Sequence, residues 1–143
     1  MKSTIRFGLV GCGRIAQRHA EHINNKALLA AVCDNVPAKA DALASQYGAK
    51  AYYSIEDMLA SAGDLDVVSV CSPNGLHATH SIQSLKAGLH VLCEKPMADS
   101  LGAAEQMLVA CRRNGVKLAI AHQRRFLPAY TLAKNLIAQG AIG

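Results

Sequence analysis

The chain has 143 residues, enough for one ordinary domain with a buried core. Apolar residues make up 51%, charged residues 17% and aromatics 4%, with no tryptophan, so the interior must be built from Val, Ile, Leu and Ala, as in parallel strands packed between helices. The formal charge of +5 is localised, since no Asp or Glu follows Glu105 while Arg112, Arg113, Lys117, Arg124, Arg125 and Lys134 do; without an aromatic-studded basic stripe, nucleic acid is not the expected partner, and these bases face water or an acidic surface.

Residues 4–10 (TIRFGLV) are the first expected strand, and they run directly into GCGRIAQRHA. Gly11 there permits a tight turn, Gly13 lets a phosphate approach the backbone, and Ala16 lets the following helix pack closely on the strand. The opening amides of that helix carry partial positive charge suited to a diphosphate. The second strand, 28–33, leads to Asp34, about 20 residues beyond the glycines, where a carboxylate can bind the 2′- and 3′-hydroxyls of an adenosine ribose. It would repel a 2′-phosphate, so NAD is expected rather than NADP. Asp34 can also cap the next helix, whose first turn holds Pro37, and the two roles are compatible.

A weak third strand at 50–53 precedes a short helix opened by Ser54 with Asp57 and finished before Gly63. The fourth strand, 66–72, meets SPNGLH. Ser72, Pro73, Asn74 and Gly75 make a polar turn beside the expected groove, or simply an ordinary helix opening. Ala78, Ile82 and Leu85 form the buried stripe of the helix that follows, closed by Gly88. His19 with His22, and His77 with His80, are spaced i, i+3, but neither pair has a third ligand near it and no metal is expected.

The fifth strand, 90–95, ends in CEKP. Charge at the carboxyl edge of a central strand is costly unless paired or solvated, so Glu94 and Lys95 invite a functional reading. A partly desolvated lysine there suits proton transfer; on spacing alone, the surface end of a strand is an equal alternative. Helix 100–114 has Ser100 as N-cap, Gly115 beyond its end, and Leu101, Ala104, Met107, Leu108 and Cys111 along one face. After the sixth strand, 116–122, Arg124 and Arg125 reach the same edge and can meet a cofactor or an anionic substrate. A last helix, 128–139, stops at Gly140.

Strand and helix alternate without repeat or linker, which argues for an α/β fold with a doubly wound parallel sheet of the Rossmann type, about six strands in a single domain. Ligands are then expected beyond the carboxyl ends of the strands, after residues 10, 33, 71, 94 and 122. The five cysteines are scattered through apolar runs, unlike a disulfide framework or a CxxC site, which fits a reducing cytoplasm. Gly11, Gly13 and Arg14 interrupt the first apolar run well short of a signal peptide or membrane span, so no membrane partner is expected.

In this order and spacing, GxGxxA, SPNGLH, CEKP and HQRRFLPAY resemble the N-terminal half of the Gfo/Idh/MocA oxidoreductases, over essentially the whole chain. Glu94-Lys95-Pro96 is the most specific element. The resemblance implies a two-domain enzyme that transfers hydride between NAD or NADP and a hydroxyl carbon of a sugar, cyclitol or nucleotide sugar. It implies Gly11, Gly13, Arg14, Ile15 and Ala16 at the pyrophosphate, and Asp34 with Asn35 at the adenosine ribose. Ser72, Pro73, Asn74 and His77 would line the cofactor, with Glu94 toward the nicotinamide, Lys95 beside the reacting carbon, and Arg124 or Arg125 closing that end. It also implies a cis Lys95–Pro96 bond.

Family members run on from a GxIG-like stretch into a second domain that supplies substrate contacts, a histidine acid/base and most of the subunit interface. This chain ends at GAIG, Gly140 to Gly143, and is expected to be the cofactor domain alone, binding NAD but turning over poorly or not at all. Its uncovered docking face favours a homo-oligomer or aggregation. The alternative class is a stand-alone, non-catalytic NAD-binding or regulatory module, against which the intact Glu94-Lys95-Pro96 counts.

Overall fold

In the computed structural model, which describes residues 4–61 and 63–142, the first strand, β1 (Arg6–Val10), sends Leu9 and Val10 into two different apolar clusters. That is the two-residue alternation of a strand covered on both faces. The chain continues through α1 (Arg14–Asn24), β2 (Leu28–Cys33), α2 (Pro37–Tyr47), β3 (Lys50–Tyr52) and α3 (Ile55–Ser61). It then forms β4 (Val67–Val70), α4 (His77–Lys86), β5 (His90–Cys93), α5 (Leu101–Arg113), β6 (Leu118–Ile120) and α6 (Pro128–Ala138), with 3-10 turns at Asn74–Leu76 and Gln123–Phe126.

The six strands form one sheet in the order β3-β2-β1-β4-β5-β6, and all its pairs are parallel. This is the doubly wound order in which the direction of winding reverses between β1 and β4. One apolar cluster joins Leu9, Leu29 and Val32 to Ala16, Ala20 and Ile23 of α1 and Leu43 of α2. The other joins Val10, Val68, Val70, Val91 and Cys93 to Met58 of α3, Leu85 of α4 and Met107 of α5. Side chains such as Leu9, Leu43, Leu85 and Met107, fully or almost fully buried, each contribute roughly 1.5–3 kcal/mol by leaving water.

The strands pair over fewer residues than the apolar runs suggested. The runs 66–72, 90–95 and 116–122 contain strands only at Val67–Val70, His90–Cys93 and Leu118–Ile120, with single backbone bonds such as Asp66 N–H to Arg6 O and Glu94 N–H to Val70 O continuing just past their ends. Helix ends follow their expected chemistry: Asp57 N–H donates to Ser54 Oγ at 3.1 Å and Ala103 N–H to Ser100 Oγ at 3.2 Å.

The expected buried face of α5 needs correction. Leu101 is 76% exposed and Leu108 43%, while Met107 and Ala110 are the buried residues. Two apolar lines run along this helix at helical spacing, and only the one with Met107 and Ala110 joins the apolar cluster against the sheet and α4. On α6 no residue is buried, and Phe126, Leu132 and Ile137 stand more than half exposed. No helix among the described residues is long and apolar enough to cross a membrane.

Candidate functional site

Strand register gathers the motifs at one edge. Val10 lies opposite Cys33 and Val70, Val70 opposite Cys93, and Cys93 opposite Ile120. The next residue of each strand, Gly11, Asp34, Cys71, Glu94 and Ala121, therefore emerges at the same carboxyl rim. Backbone bonds extend the ladder to this rim: Gly11 N–H donates to Cys33 O, Cys71 N–H to Val10 O, Glu94 N–H to Val70 O and Ala121 N–H to Cys93 O, all at 2.7–2.9 Å.

The two loop glycines serve different ends. Gly11 has φ of +90° and packs so closely on Ser72 that a Cβ would lie 2.5 Å from its backbone nitrogen. Gly13 has φ −82° and ψ −166°, a conformation any residue adopts, and a Cβ there would meet nothing within 4 Å. No protein atom requires glycine at 13. The space beside it is open at the N-terminus of α1, which no side chain caps; Ala16 N–H turns back onto Gly13 O at 3.1 Å, which leaves the Arg14 and Ile15 amides and the partial positive charge of the helix end for this opening. A diphosphate fits this cradle. Ala16 is fully buried where α1 meets the sheet.

Asp34 braces the cradle from β2. Its Oδ2 accepts Cys12 N–H at 2.8 Å and its Oδ1 accepts Val36 N–H at 2.9 Å. It is not the cap of α2, as one sequence reading had it: the N-cap position is Val36, without a side-chain cap, and Asp34 closes a tight turn before it. A carboxylate has about four acceptor sites, so two remain for ribose hydroxyls. Asn35 is exposed beside it. The Cys12 thiol, between the two glycines, is pushed up to about 12 by burial and then by the Asp34 charge, so it stays neutral.

A cleft of about 880 Å³ opens along the rim. It brings together Arg14, Ile15, Ser72, Asn74, His77, Glu94, Lys95, Arg124 and Arg125. Gly11, Gly13, Ala16, Asp34, Asn35 and Pro73 do not line it; they lie in the loops that adjoin it. The cleft also takes in Arg18, His122 and Gln123, which sequence reasoning missed. Arg18 is legible afterwards, since it follows Arg14 by four residues on one helix face. Against the cations Arg14, Arg18, Lys95, Arg124 and Arg125, the lining includes a single carboxylate, Glu94.

Glu94 and Lys95 solve the problem of edge charge in opposite ways. Glu94 is 6% exposed; its Oε1 lies 2.9 Å from His19 Nε2 and its Oε2 accepts Lys95 N–H at 3.0 Å. Lys95 is exposed, contrary to the partial desolvation expected of it, because in the described residues nothing covers the mouth of the cleft above it. The Lys95–Pro96 bond is cis.

His77 is buried. Its Nδ1 lies 2.6 Å from Pro96 O and its Nε2 2.9 Å from Ser72 O, between the turn after β4 and the turn after β5, and with one N–H a neutral ring donates to one of these two carbonyls. His80 Nδ1 lies 2.9 Å from Ser72 Oγ, and burial, with a smaller contribution from His77, lowers its pKa against the opposing pull of Glu56. His77 and His80 thus both reach Ser72, while His19 reaches Ser69 on β4 and Glu94 after β5.

An open glycine loop at a helix N-terminus, an acid closing β2 and a cationic cleft at the switch point define a dinucleotide-binding domain. The chain belongs to the oxidoreductase family with an NAD-binding Rossmann fold, whose model matches residues 5–122. It is 35% identical to D-glucoside 3-dehydrogenase of Escherichia coli over 99% of the chain, and 35% identical to inositol 2-dehydrogenase of Rhizobium meliloti over 98%. It spans 41% and 42% of those relatives. Among solved structures, it is similar to the WlbA dehydrogenase of Bordetella pertussis, in complex with NADH and UDP-GlcNAcA, with a TM-score of 0.91 and 39% identity over 98% of this chain and 43% of that one.

Proposed function

We propose that this chain is the cofactor-binding part of an NAD-dependent dehydrogenase acting on a hydroxyl carbon of a sugar, cyclitol or nucleotide sugar. The observation that carries the reading is one continuous rim with an unobstructed glycine loop at one end and Lys95 at the other. Bound nicotinamide supplies hydride transfer. The chain's own residues bind and orient: Gly13, Arg14 and Ile15 with the α1 amides hold the diphosphate, and Asp34 and Asn35 hold the adenosine ribose. Ser72, Pro73 and Asn74 form the wall, Arg124 and Arg125 close the far end, and Lys95 Nζ exchanges a proton with the substrate hydroxyl.

The relatives named above act on a glucoside and an inositol by their names, and the WlbA complex contains a nucleotide sugar, which supports a small polyhydroxylated substrate. Free cysteines at all five positions support a reducing, cytoplasmic setting. The uncovered apolar side chains at Phe126, Leu132 and Ile137 support self-association, which sedimentation velocity reads directly.

Calorimetric titration with NADH tests the binding half: one site per chain is expected, and no heat overturns the reading. For the chemical half, Lys95→Met is placed in a polypeptide that carries this chain together with the remaining length of its relatives. Sugar or inositol oxidation should fall about 10²-fold or more while NADH affinity holds within a few-fold. Unchanged turnover would remove Lys95 from the reaction. An absence of turnover in both forms with NADH still bound would favour a stand-alone NAD-binding module.

A further inference from the structure

His19 lies one turn and a half into α1, and its ring spans three elements. Nδ1 is 2.8 Å from Ser69 Oγ on β4, and Nε2 is 2.9 Å from Glu94 Oε1 beyond β5. The His19 and Glu94 side chains are 12% and 8% exposed, and Ser69 is fully buried. Serine, histidine and glutamate in this order suggest a nucleophilic triad, but a hydroxyl with no exposed surface cannot reach a substrate. The array is instead a bracket. A carboxylate only accepts, so Nε2 carries a hydrogen and donates it to Glu94.

A buried carboxylate is strongly disfavoured unless its oxygens are bonded. Glu94 has one fixed donor on each side: His19 Nε2 on Oε1 and the Lys95 main-chain N–H on Oε2. The ring of His19 thereby sets the carboxylate, and the carboxylate sets the backbone that carries Lys95. The same histidine rides on the helix whose first-turn amides face the open glycine loop. The two ends of the cleft are thus held in register by one side chain.

We propose that His19 is a positioning residue for the nicotinamide end of the cleft, acting through Glu94 on Lys95. The proposal rests on the NAD-binding reading above. It makes a selective prediction: disturbing His19 should weaken ligands that reach the Glu94–Lys95 end and spare those that stop at the diphosphate. NADH is the first kind of ligand and ADP-ribose, which lacks the nicotinamide, the second.

Two substitutions separate the two arms of the bracket. A glutamine amide nitrogen takes the place of Nε2 and can still donate to Glu94, whereas an asparagine reaches only the Nδ1 position beside Ser69. His19→Asn should lower NADH affinity about ten-fold while leaving ADP-ribose within about two-fold, and His19→Gln should keep both near the unaltered values. Equal loss of both ligands, no loss of either, or rescue by Asn rather than Gln overturns the proposal in favour of a packing role.

A measurement on the unaltered chain covers the case in which His19→Asn does not fold. The ring 15N signals of His19 should report a hydrogen on Nε2 and shift with NADH but not with ADP-ribose; signals that ignore NADH overturn the proposal. An unaltered chain that binds neither ligand defeats the NAD-binding reading itself. One that binds both, with no selective response at His19, defeats only this inference.

Discussion

Gly11 and Ser72 meet backbone to backbone: a Cβ on Gly11 would lie 2.5 Å from Ser72 N and 2.6 Å from Ser72 Cα. This contact joins the first turn after β1 to the first turn after β4, across the point where the winding of the sheet reverses. Neither backbone can yield easily, since Gly11 N–H is bonded to Cys33 O and Cys71 N–H to Val10 O. Gly11→Ala adds a left-handed φ to the steric conflict. It should destabilise the chain by about 3 kcal/mol or more in urea unfolding, and a loss under about 1 kcal/mol would show that the two turns are not rigidly held.

Gly13 should behave in the opposite way. Its extended backbone suits alanine and the added methyl meets no protein atom. Gly13→Ala should leave stability within about 0.5 kcal/mol and lower NADH affinity about ten-fold or more, because the methyl fills the space a diphosphate needs. Unaltered affinity would place the diphosphate elsewhere.

The fold was legible because its signals are local. Glycine loops, caps at Ser54 and Ser100, and apolar runs all act within a few residues, and the strand ends at 10 and 33 follow from where apolar runs meet polar ones, whereas the fifth run, read to 95, pairs only as far as Cys93. Ser72, Asn74, Glu94 and Lys95, which line the cleft, were legible for the same reason. What was hidden depends on which surface packs on which. Leu101 and Leu108 have the spacing of a buried line, yet Met107 and Ala110 are the residues that enter the core. His19 and Glu94 are 75 positions apart, and no local pattern pairs a helix histidine with a strand-end acid. His77 could be placed at the site by its neighbours, but its position between two carbonyls required the turns themselves.

Asp34 couples specificity to loop order. Its two oxygens already hold Cys12 N–H and Val36 N–H; water replaces the exposed bond to Val36, but the part-buried Cys12 amide loses its acceptor, so Asp34→Ala should cost about 1–2 kcal/mol of stability. Removing the charge also removes repulsion of a 2′-phosphate, so the NADH:NADPH affinity ratio should fall about ten-fold or more. A variant that loses stability with an unchanged ratio would assign Asp34 to the loop alone.

The cysteines beneath the rim should be chemically silent in the folded chain. Burial raises the Cys12 and Cys71 thiols to about 12 and Cys33 to about 11. At pH 8, only about 10⁻⁴ of Cys12 is then thiolate, the form that reacts. Iodoacetamide should leave these three unlabelled in native buffer and modify them fully in urea, as read by mass spectrometry. Labelling of Cys12 at the rate of an exposed thiol would contradict the burial and Asp34 charge that keep it neutral.

His80 gives the rim a defined pH dependence. Burial lowers its pKa below the ordinary 6.5 and the His77 ring acts in the same direction, while Glu56 opposes them. The unfolded chain therefore takes up a proton at this site more readily than the folded one, and stability rises with pH wherever that holds. The contribution is fully present above the unfolded value of about 6.5 and is lost as pH falls through it toward the depressed folded value. His80→Asn retains a group at the position of Nδ1, beside Ser72 Oγ, but cannot titrate. Between about pH 7.5 and 5.5 the unaltered chain should lose more melting temperature than the variant. Parallel curves over that interval would mean that His80 takes its proton as easily in the folded chain as in the unfolded one, and that the wall behind Ser72 admits water.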